Sequence, residues 1–181
     1  ETLGHVCEGW HPISDIRIPF IQSALLITVS YKDLGKDGKI INLDEVKNAW
    51  KKWKPSAGLT ALVVRTYPNP KEKKYMNFSS KDAPFFSEEV GGFLRENGIT
   101  HWLVDLPSVD REEDGGALLT HRNFWGLDPF EKKVSDKARS NATISELLFI
   151  DDCIEDGYWS LAMQVASIAN DAAPSRPLLM R

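Results

Sequence analysis

Short apolar runs recur along the chain and are separated by polar segments rich in glycine, proline and lysine. Three of these runs are rich in leucine, isoleucine and valine: Ala24–Val29, Leu59–Thr66 and Ile99–Leu106. A short apolar run bounded by turn-forming residues is typical of a strand that is buried in a sheet. The three runs therefore predict central strands of a β-sheet.

Two segments between these runs have the pattern of helices. Asn42 is a suitable N-cap, and Glu45 follows it at the position that a capping box requires, so we predict a helix from Leu43 to Lys52. A second helix is predicted to begin at Ser87 and to end at Asn97, which precedes a glycine. Strands that alternate with helices predict an α/β domain.

The C-terminal part of the chain adds two predicted strands. Thr143–Ile150 is largely apolar and has Glu146 in its middle. Asp156 and the glycine after it form a hairpin signal, so Tyr158–Ala169 is predicted to pair with this strand, although its apolar composition also suits a helix. The sequence has no internal repeat or linker, and 181 residues suit a single domain over 1–181.

The composition narrows the class of protein. The net charge of −4 gives no reason to expect a nucleic-acid partner, which normally requires a basic face. No apolar run is long enough to cross a membrane. The two cysteines, Cys7 and Cys153, do not make a disulfide framework and are interpreted as packing residues, so we expect a cytoplasmic protein.

A polar loop follows the run Ile99–Leu106 and ends at His121. Loops after buried strands often carry the chemistry of α/β proteins, and this one contains Ser108 and Asp110. A solvated acidic turn is the alternative interpretation. A nucleophilic triad of Ser108, His121 and an aspartate is disfavoured because the sequence has no G-x-S-x-G elbow.

Four residues are candidates for a metal site: Glu1, His5, His121 and Glu146. Histidine and carboxylate together suit a hard or borderline divalent metal. An ionised Glu146 inside an apolar strand would also cost several kcal/mol unless it were paired or bound to a metal. The alternatives are a solvent-facing glutamate and structural histidines. His101, inside a predicted strand, is interpreted as a core histidine.

Several segments resemble the cyclase family of metal-dependent hydrolases, which includes bacterial kynurenine formamidase. Gly98-Ile99 and the stretch from Val104 to Asp110 are similar to that family's strand and G-I-D-T-P-S-L/V-D segment. Leu62–Thr66 resembles its LI-(I/V)-(R/K)-T strand, and Ala173–Arg176 resembles its closing small-Pro-x-Arg segment. The resemblance extends over nearly the whole chain from Ala24 onward.

The family's main signature, H-x-G-T-H-x-D-x-P-x-H, is matched in part at the start of the chain. Glu1 stands where the resemblance places the aspartate that bridges two metals, and His5 stands at the last histidine, the acid/base. Leu3 replaces the proline. Because the two leading histidines would precede Glu1, we expect an N-terminal portion to be missing from this sequence.

By the resemblance, the chain is a single domain with a mixed β-sheet and flanking helices, of the swivelling β/β/α-like cyclase type. His121 resembles the family's Ala-His metal ligand and Glu146 its later glutamate ligand, although the gap between them is longer than usual. Trp10, His11, Ser108 and Asp110 would lie behind the ligands or line the substrate pocket.

The implied function is metal-dependent hydrolysis of small amides, lactones or esters. It would use zinc or manganese, up to two ions per chain, with His5 as the acid/base. The resemblance further implies a homodimer or homotetramer. The expected ligand is a small-molecule substrate. The alternative is an inactive family member that serves as an oligomeric small-molecule binding protein.

Overall fold

A computed structural model describes residues 1–9, 11–55, 58–130, 132–134 and 136–181. Its strands and helices are β1 (Ile21–Ser30), β2 (Lys32–Asp33), β3 (Lys39–Ile41), α1 (Leu43–Lys51), β4 (Ala61–Tyr67), β5 (Phe85–Phe86), α2 (Glu89–Glu96), β6 (His101–Val104), α3 (Leu119–Trp125), β7 (Thr143–Ser145), β8 (Gly157–Ala162) and β9 (Leu178–Met180). Short 3-10 helices lie at Leu3–His5, Ile13–Asp15, Gly35–Asp37 and Lys71–Tyr75.

The main sheet has six strands in the order β7-β6-β4-β1-β8-β9. The first four are parallel, whereas β8 and β9 run antiparallel to their neighbours, so the sheet is mixed as predicted. A smaller sheet joins β2, β3 and β5. The parallel strands β1, β4 and β6 coincide with the three apolar runs, because a parallel strand is buried on both faces and needs apolar residues throughout.

Alternate residues of the central strands enter two hydrophobic clusters. Leu25, Leu62 and Val104 face the helices, while Leu26 and Val63 face the opposite side of the sheet. The helix-facing cluster is the larger one and includes the fully buried Trp102, Phe124 and Trp125. The α/β architecture is therefore confirmed. None of the described helices is long and apolar enough to cross a membrane.

A close contact between two helices positions the segment that carries His121. Gly91 in α2 lies against the backbone of α3: a Cβ atom there would come within 2.3 Å of the carbonyl oxygen of Thr120 and 2.7 Å of the amide nitrogen of Phe124. No side chain fits this space, so glycine at this position permits the packing distance. The loop predicted to end at His121 is shorter than expected, since His121 lies within α3.

The predictions for the C-terminal strands were partly wrong. β7 ends at Ser145, because Leu147 has a φ of 56° and turns the chain out of the sheet. The predicted hairpin at Asp156 does not join β7 to β8, since β6, β4 and β1 lie between them in the sheet. β8 is instead the antiparallel partner of β1, and Gly157 pairs with Leu26. A local Asp-Gly signal marks a turn but does not decide which strands pair.

A buried ion pair fixes the segment after β4. Lys73 Nζ lies 2.7 Å from Asp105 Oδ2, and the Asp105 carboxylate also accepts hydrogen bonds from the backbone nitrogen and hydroxyl of Thr66. Both ionic side chains are buried. Burial lowers the pKa of the Lys73 amine even though Asp105 opposes that shift. The pair anchors the 3-10 helix Lys71–Tyr75, which leads into one wall of a cleft described below.

Candidate metal centre

Four residues from three parts of the chain meet beside the end of β7: Glu1 with His5, His121, and Glu146. His121 Nε2 lies 2.7 Å from Glu1 Oε1 and 3.5 Å from Glu146 Oε1. His5 Nε2 lies 3.7 Å from the other Glu1 oxygen. One potential ligand atom from each of Glu1, His5 and His121 falls within 4.8 Å of the other two. The fold thus brings together the four residues that the sequence analysis proposed for metal binding and catalysis.

His121 is held by the loop that precedes it. The Asp110 carboxylate lies 2.5 Å from His121 Nδ1, and it also accepts hydrogen bonds from the backbone nitrogens of Thr120 and His121. The His121 side chain is 1% exposed and its ring lies 5.7 Å from that of Trp125. A carboxylate at the start of a helix satisfies its free N–H groups, so Asp110 orients both α3 and the imidazole.

Glu1 reaches the centre along the edge of the main sheet. Its backbone nitrogen donates to the carbonyl of Ile144 at 2.7 Å, and the Ile144 nitrogen donates to the Glu1 carbonyl at 3.2 Å. This pairing sets Glu1 beside β7, and its side chain is only 10% exposed. A carboxylate buried to this extent requires partners, and His121 supplies one.

Glu146 does not lie in the middle of a strand, as the sequence analysis expected, but directly after β7. Its Oε1 atom accepts a hydrogen bond from the backbone nitrogen of Val109 at 2.9 Å. The side chain is 17% exposed. The expectation that Glu146 needs a partner because it is buried inside an apolar strand is therefore wrong. Its carboxylate nevertheless faces His121.

His5 is the most open member of the group. It is the last residue of the 3-10 helix Leu3–His5, and its side chain is 40% exposed. Its Nδ1 atom lies 3.1 Å from Asp171 Oδ2. Asp171 was missed by the sequence analysis because nothing local marks a contact across 166 residues. Its only sequence signal is its position just before Ala173–Arg176, a segment that carried the family resemblance.

Charge is concentrated around His121. Burial alone would lower the pKa of the His121 imidazole, but its hydrogen bonds to Asp110, Glu1 and Glu146 raise it well above the usual value. Burial raises the pKa values of the Glu1 and Asp110 carboxyls, and the bond to His121 outweighs this and lowers both. The group therefore favours a proton or another cation held among several carboxylates.

This donor set fits a divalent metal ion. Imidazole nitrogens and carboxylate oxygens are the ligands that zinc and manganese share. Glu1 and Glu146 both face the Nε2 atom of His121, whose other nitrogen is oriented by Asp110. A carboxylate behind the far nitrogen of a ligating histidine is the usual arrangement in metal sites.

The other predicted site residues are less central. Ser108 Oγ accepts a hydrogen bond from the Asp110 nitrogen at 3.1 Å. Both ring nitrogens of His121 already face carboxylates, which leaves no geometry for a Ser108–His121 nucleophilic pair. His11 is half-buried, and its carbonyl accepts from the hydroxyl of Thr2. Trp10 lies outside the described residues.

A cleft of about 380 Å³ adjoins this group of residues. Ser108 and Asp110 line it on the side of the metal candidates, together with Leu147, the neighbour of Glu146. Its opposite wall comes from the segment after the Lys71–Tyr75 helix and is mainly apolar, with Met76, Phe78, Ala83 and Pro84. The volume suits a small organic molecule.

Two of the three residues assigned to packing, His101 and Cys7, are buried. His101 is buried in β6, and its Nδ1 atom lies 2.8 Å from the hydroxyl of Thr143. Burial lowers its pKa to about 4, so the ring is neutral, as expected of a core histidine. Cys7 is buried in the core, whereas Cys153 is exposed and does not pack as predicted.

The model of the Cyclase family matches residues 1–111. No curated protein sequence matches the chain significantly. A potential metal-dependent hydrolase with cyclase activity is similar in structure, with a TM-score of 0.69, 17% identity, and coverage of 99% of this chain and 75% of the other. A predicted metal-dependent hydrolase from Bacillus stearothermophilus has a TM-score of 0.63 and 17% identity, with coverage of 99% of this chain and 73% of the other. An isatin hydrolase bound to the product analogue thioisatinate has a TM-score of 0.55 and 15% identity, with coverage of 88% of this chain and 60% of the other.

Proposed function

Because this chain belongs to the Cyclase family, we propose that it is a metal-dependent hydrolase of small amides, lactones or esters. The observation that carries the proposal is His121, whose Nε2 atom faces Glu1 and Glu146 beside the cleft. Hydrolases among the structural neighbours support the same reaction class.

Glu1, His121 and Glu146 would hold the metal. Their oxygen and nitrogen atoms converge, and the negative charge of the carboxylates exceeds what one imidazolium can neutralise. When bound, a divalent metal lowers the pKa of water towards neutrality and polarises a substrate carbonyl. Asp110 would keep the His121 ring in place during this chemistry through its bond to Nδ1.

His5 would move the proton between water and the leaving group. Its Nε2 atom faces Glu1 and its side chain is open to solvent, so a proton can be exchanged there. Histidine is the most frequent general acid/base in enzymes. Ester, lactone and amide cleavage all require such a transfer to the leaving atom.

The cleft would bind the organic part of the substrate. Met76, Phe78 and Pro84 form an apolar wall, and Ser108 adds a hydroxyl to the lining. An apolar wall with a few polar groups is typical of small-molecule sites. We therefore propose a substrate with an apolar body, placed so that its carbonyl points towards His121.

Metal dependence can be tested on the intact chain. Elemental analysis after purification should find bound zinc or manganese, and a chelator should abolish hydrolysis of an aryl formamide, a lactone or an aryl ester until metal is restored. Glu146→Gln should lower metal affinity by at least about tenfold, since it removes a charged ligand. Glu45→Gln, which alters a partly exposed carboxylate paired with Lys32, is the matched control.

Two results would contradict the proposal. Chelator-resistant hydrolysis would remove the metal from the reaction. Metal and substrate-analogue binding without turnover of the three substrate types would support the alternative, an inactive binding protein of the same family. The homo-oligomeric state stays a prediction, and analytical ultracentrifugation of the same sample would measure it.

A further inference from the structure

We infer that Asp171 is a positioning residue for His5, which it holds with a proton on Nδ1 so that Nε2 faces the metal centre. The two side chains lie 3.1 Å apart, from His5 Nδ1 to Asp171 Oδ2. The placement of the ring stands on this geometry alone. Its catalytic consequence rests on the proposed function, in which His5 transfers the proton.

The backbone around Asp171 is fixed against the segment that carries His5. The Thr2 nitrogen donates to the Asp171 carbonyl at 2.9 Å, and the Ile13 nitrogen donates to the Asn170 carbonyl at 2.7 Å. These two bonds lie on either side of His5 in the sequence. The C-terminal segment is therefore hydrogen-bonded to the N-terminal one at two points, which holds Asp171 near His5.

The same arrangement occurs twice in this centre. Asp110 faces Nδ1 of His121 just as Asp171 faces Nδ1 of His5. The Nε2 atoms of the two histidines then point at different oxygens of Glu1, at 2.7 Å for His121 and 3.7 Å for His5. Two histidines with a carboxylate on the outer nitrogen and a shared glutamate on the inner one indicate a common geometric role for the two aspartates.

The two pairs differ in exposure, which separates their effects. The Asp110 and His121 side chains are 8% and 1% exposed, whereas those of Asp171 and His5 are 37% and 40% exposed. A bond to an ionised group is weaker when water competes for it. We therefore expect Asp171 to select the tautomer and orientation of the exposed His5 ring, without being required for folding.

The tautomer decides whether His5 can accept a proton towards the centre. A neutral imidazole has one N–H and one lone pair, and the hydrogen bond at one nitrogen determines the state of the other. A carboxylate accepts only from N–H, and Asp171 lies at hydrogen-bond distance from Nδ1, at 3.1 Å, whereas Glu1 lies 3.7 Å from Nε2. Asp171 therefore favours Nδ1–H and leaves the lone pair on Nε2. Loss of Asp171 would allow the ring to carry its proton on Nε2, where it could not accept another.

Nitrogen NMR of the histidine rings tests this directly on metal-free protein. Wild-type His5 should be the Nδ1–H tautomer, Asp171→Ala should show a mixture with Nε2–H, and Asp171→Asn, whose amide oxygen still accepts, should be intermediate. Asp33→Asn, at an exposed carboxylate that accepts from the Gly35 nitrogen, is the control. An unchanged His5 tautomer in Asp171→Ala would overturn the inference.

Kinetics and metal binding supply the second readout. Asp171→Ala should lower kcat by about tenfold, with KM and the Kd for zinc within about threefold of wild type, and Asp171→Glu should recover part of the loss. A loss of zinc affinity as large as the loss of kcat would overturn the acid/base placement and make His5 a ligand. If wild-type protein hydrolyses nothing, the proposed function fails, and the NMR series still decides the role of Asp171.

Discussion

The carboxylate of Asp110 joins the start of α3 to the ring of His121. One oxygen accepts from the Thr120 nitrogen, and the other accepts from the His121 nitrogen and faces Nδ1 at 2.5 Å. A single side chain thus performs a capping role and a site role. Local structure and the candidate chemistry are coupled through this residue.

Asp110→Asn should weaken metal binding by about 10- to 100-fold, because the far nitrogen of His121 loses its carboxylate. Calorimetric titration with zinc would measure the change. Asp114→Asn is the matched control, since Asp114 accepts from the backbone of Gly116 and Leu118 in the same loop. The control should cost about 1 kcal/mol of stability and leave zinc affinity unchanged. Equal zinc affinities in wild type and Asp110→Asn would contradict the coupling.

Two adjacent glycines in α2 should respond in opposite directions to alanine. Gly91→Ala forces a Cβ atom against the α3 backbone, so it should destabilise the protein by about 3 kcal/mol and weaken metal binding through displaced His121. Gly92 has open space where its Cβ would be, so Gly92→Ala should stabilise by about 0.5–1 kcal/mol. Urea unfolding measures both. Equal effects of the two substitutions would show that α2 and α3 do not pack this closely.

His101 should make stability depend on pH in a defined window. Its ordinary pKa of 6.5 falls to about 4 in the fold, through burial and then the charge of Arg139. Below pH 6.5 the unfolded chain binds a proton that the folded chain does not, so stability is lost as pH falls from 6.5 to 4, by up to about 3 kcal/mol. Above pH 6.5 this residue contributes no slope.

His101→Gln removes the titrating group and retains a polar side chain that can reach Thr143. Denaturant unfolding at several pH values should give a shallower fall in the free energy of unfolding for this variant between pH 6.5 and 4. The comparison with wild type subtracts the other acidic groups that titrate in the same range. Parallel curves for the two proteins would mean that His101 is protonated in the fold.

The apolar runs were sufficient to predict β1, β4 and β6 because parallel central strands are buried on both faces. The start of α1 was likewise predicted locally: Asn42 takes the N-cap position, although its side chain makes no capping hydrogen bond there. The C-terminal strands were harder, since their pairing is not local. An Asp-Gly turn cannot specify that β8 joins β1 and leaves β7 at the opposite edge.

The sequence by itself determined the α/β class, the central strands and the family resemblance, and it singled out the four residues proposed here for the metal centre. Only the tertiary structure decided that Glu1 and His121 lie 2.7 Å apart, that Glu146 follows its strand, and that Asp171 stands behind His5. The physical reason is range. Burial and helix capping can be predicted from neighbouring residues. Contacts across more than 100 positions depend on how every strand and helix between them packs.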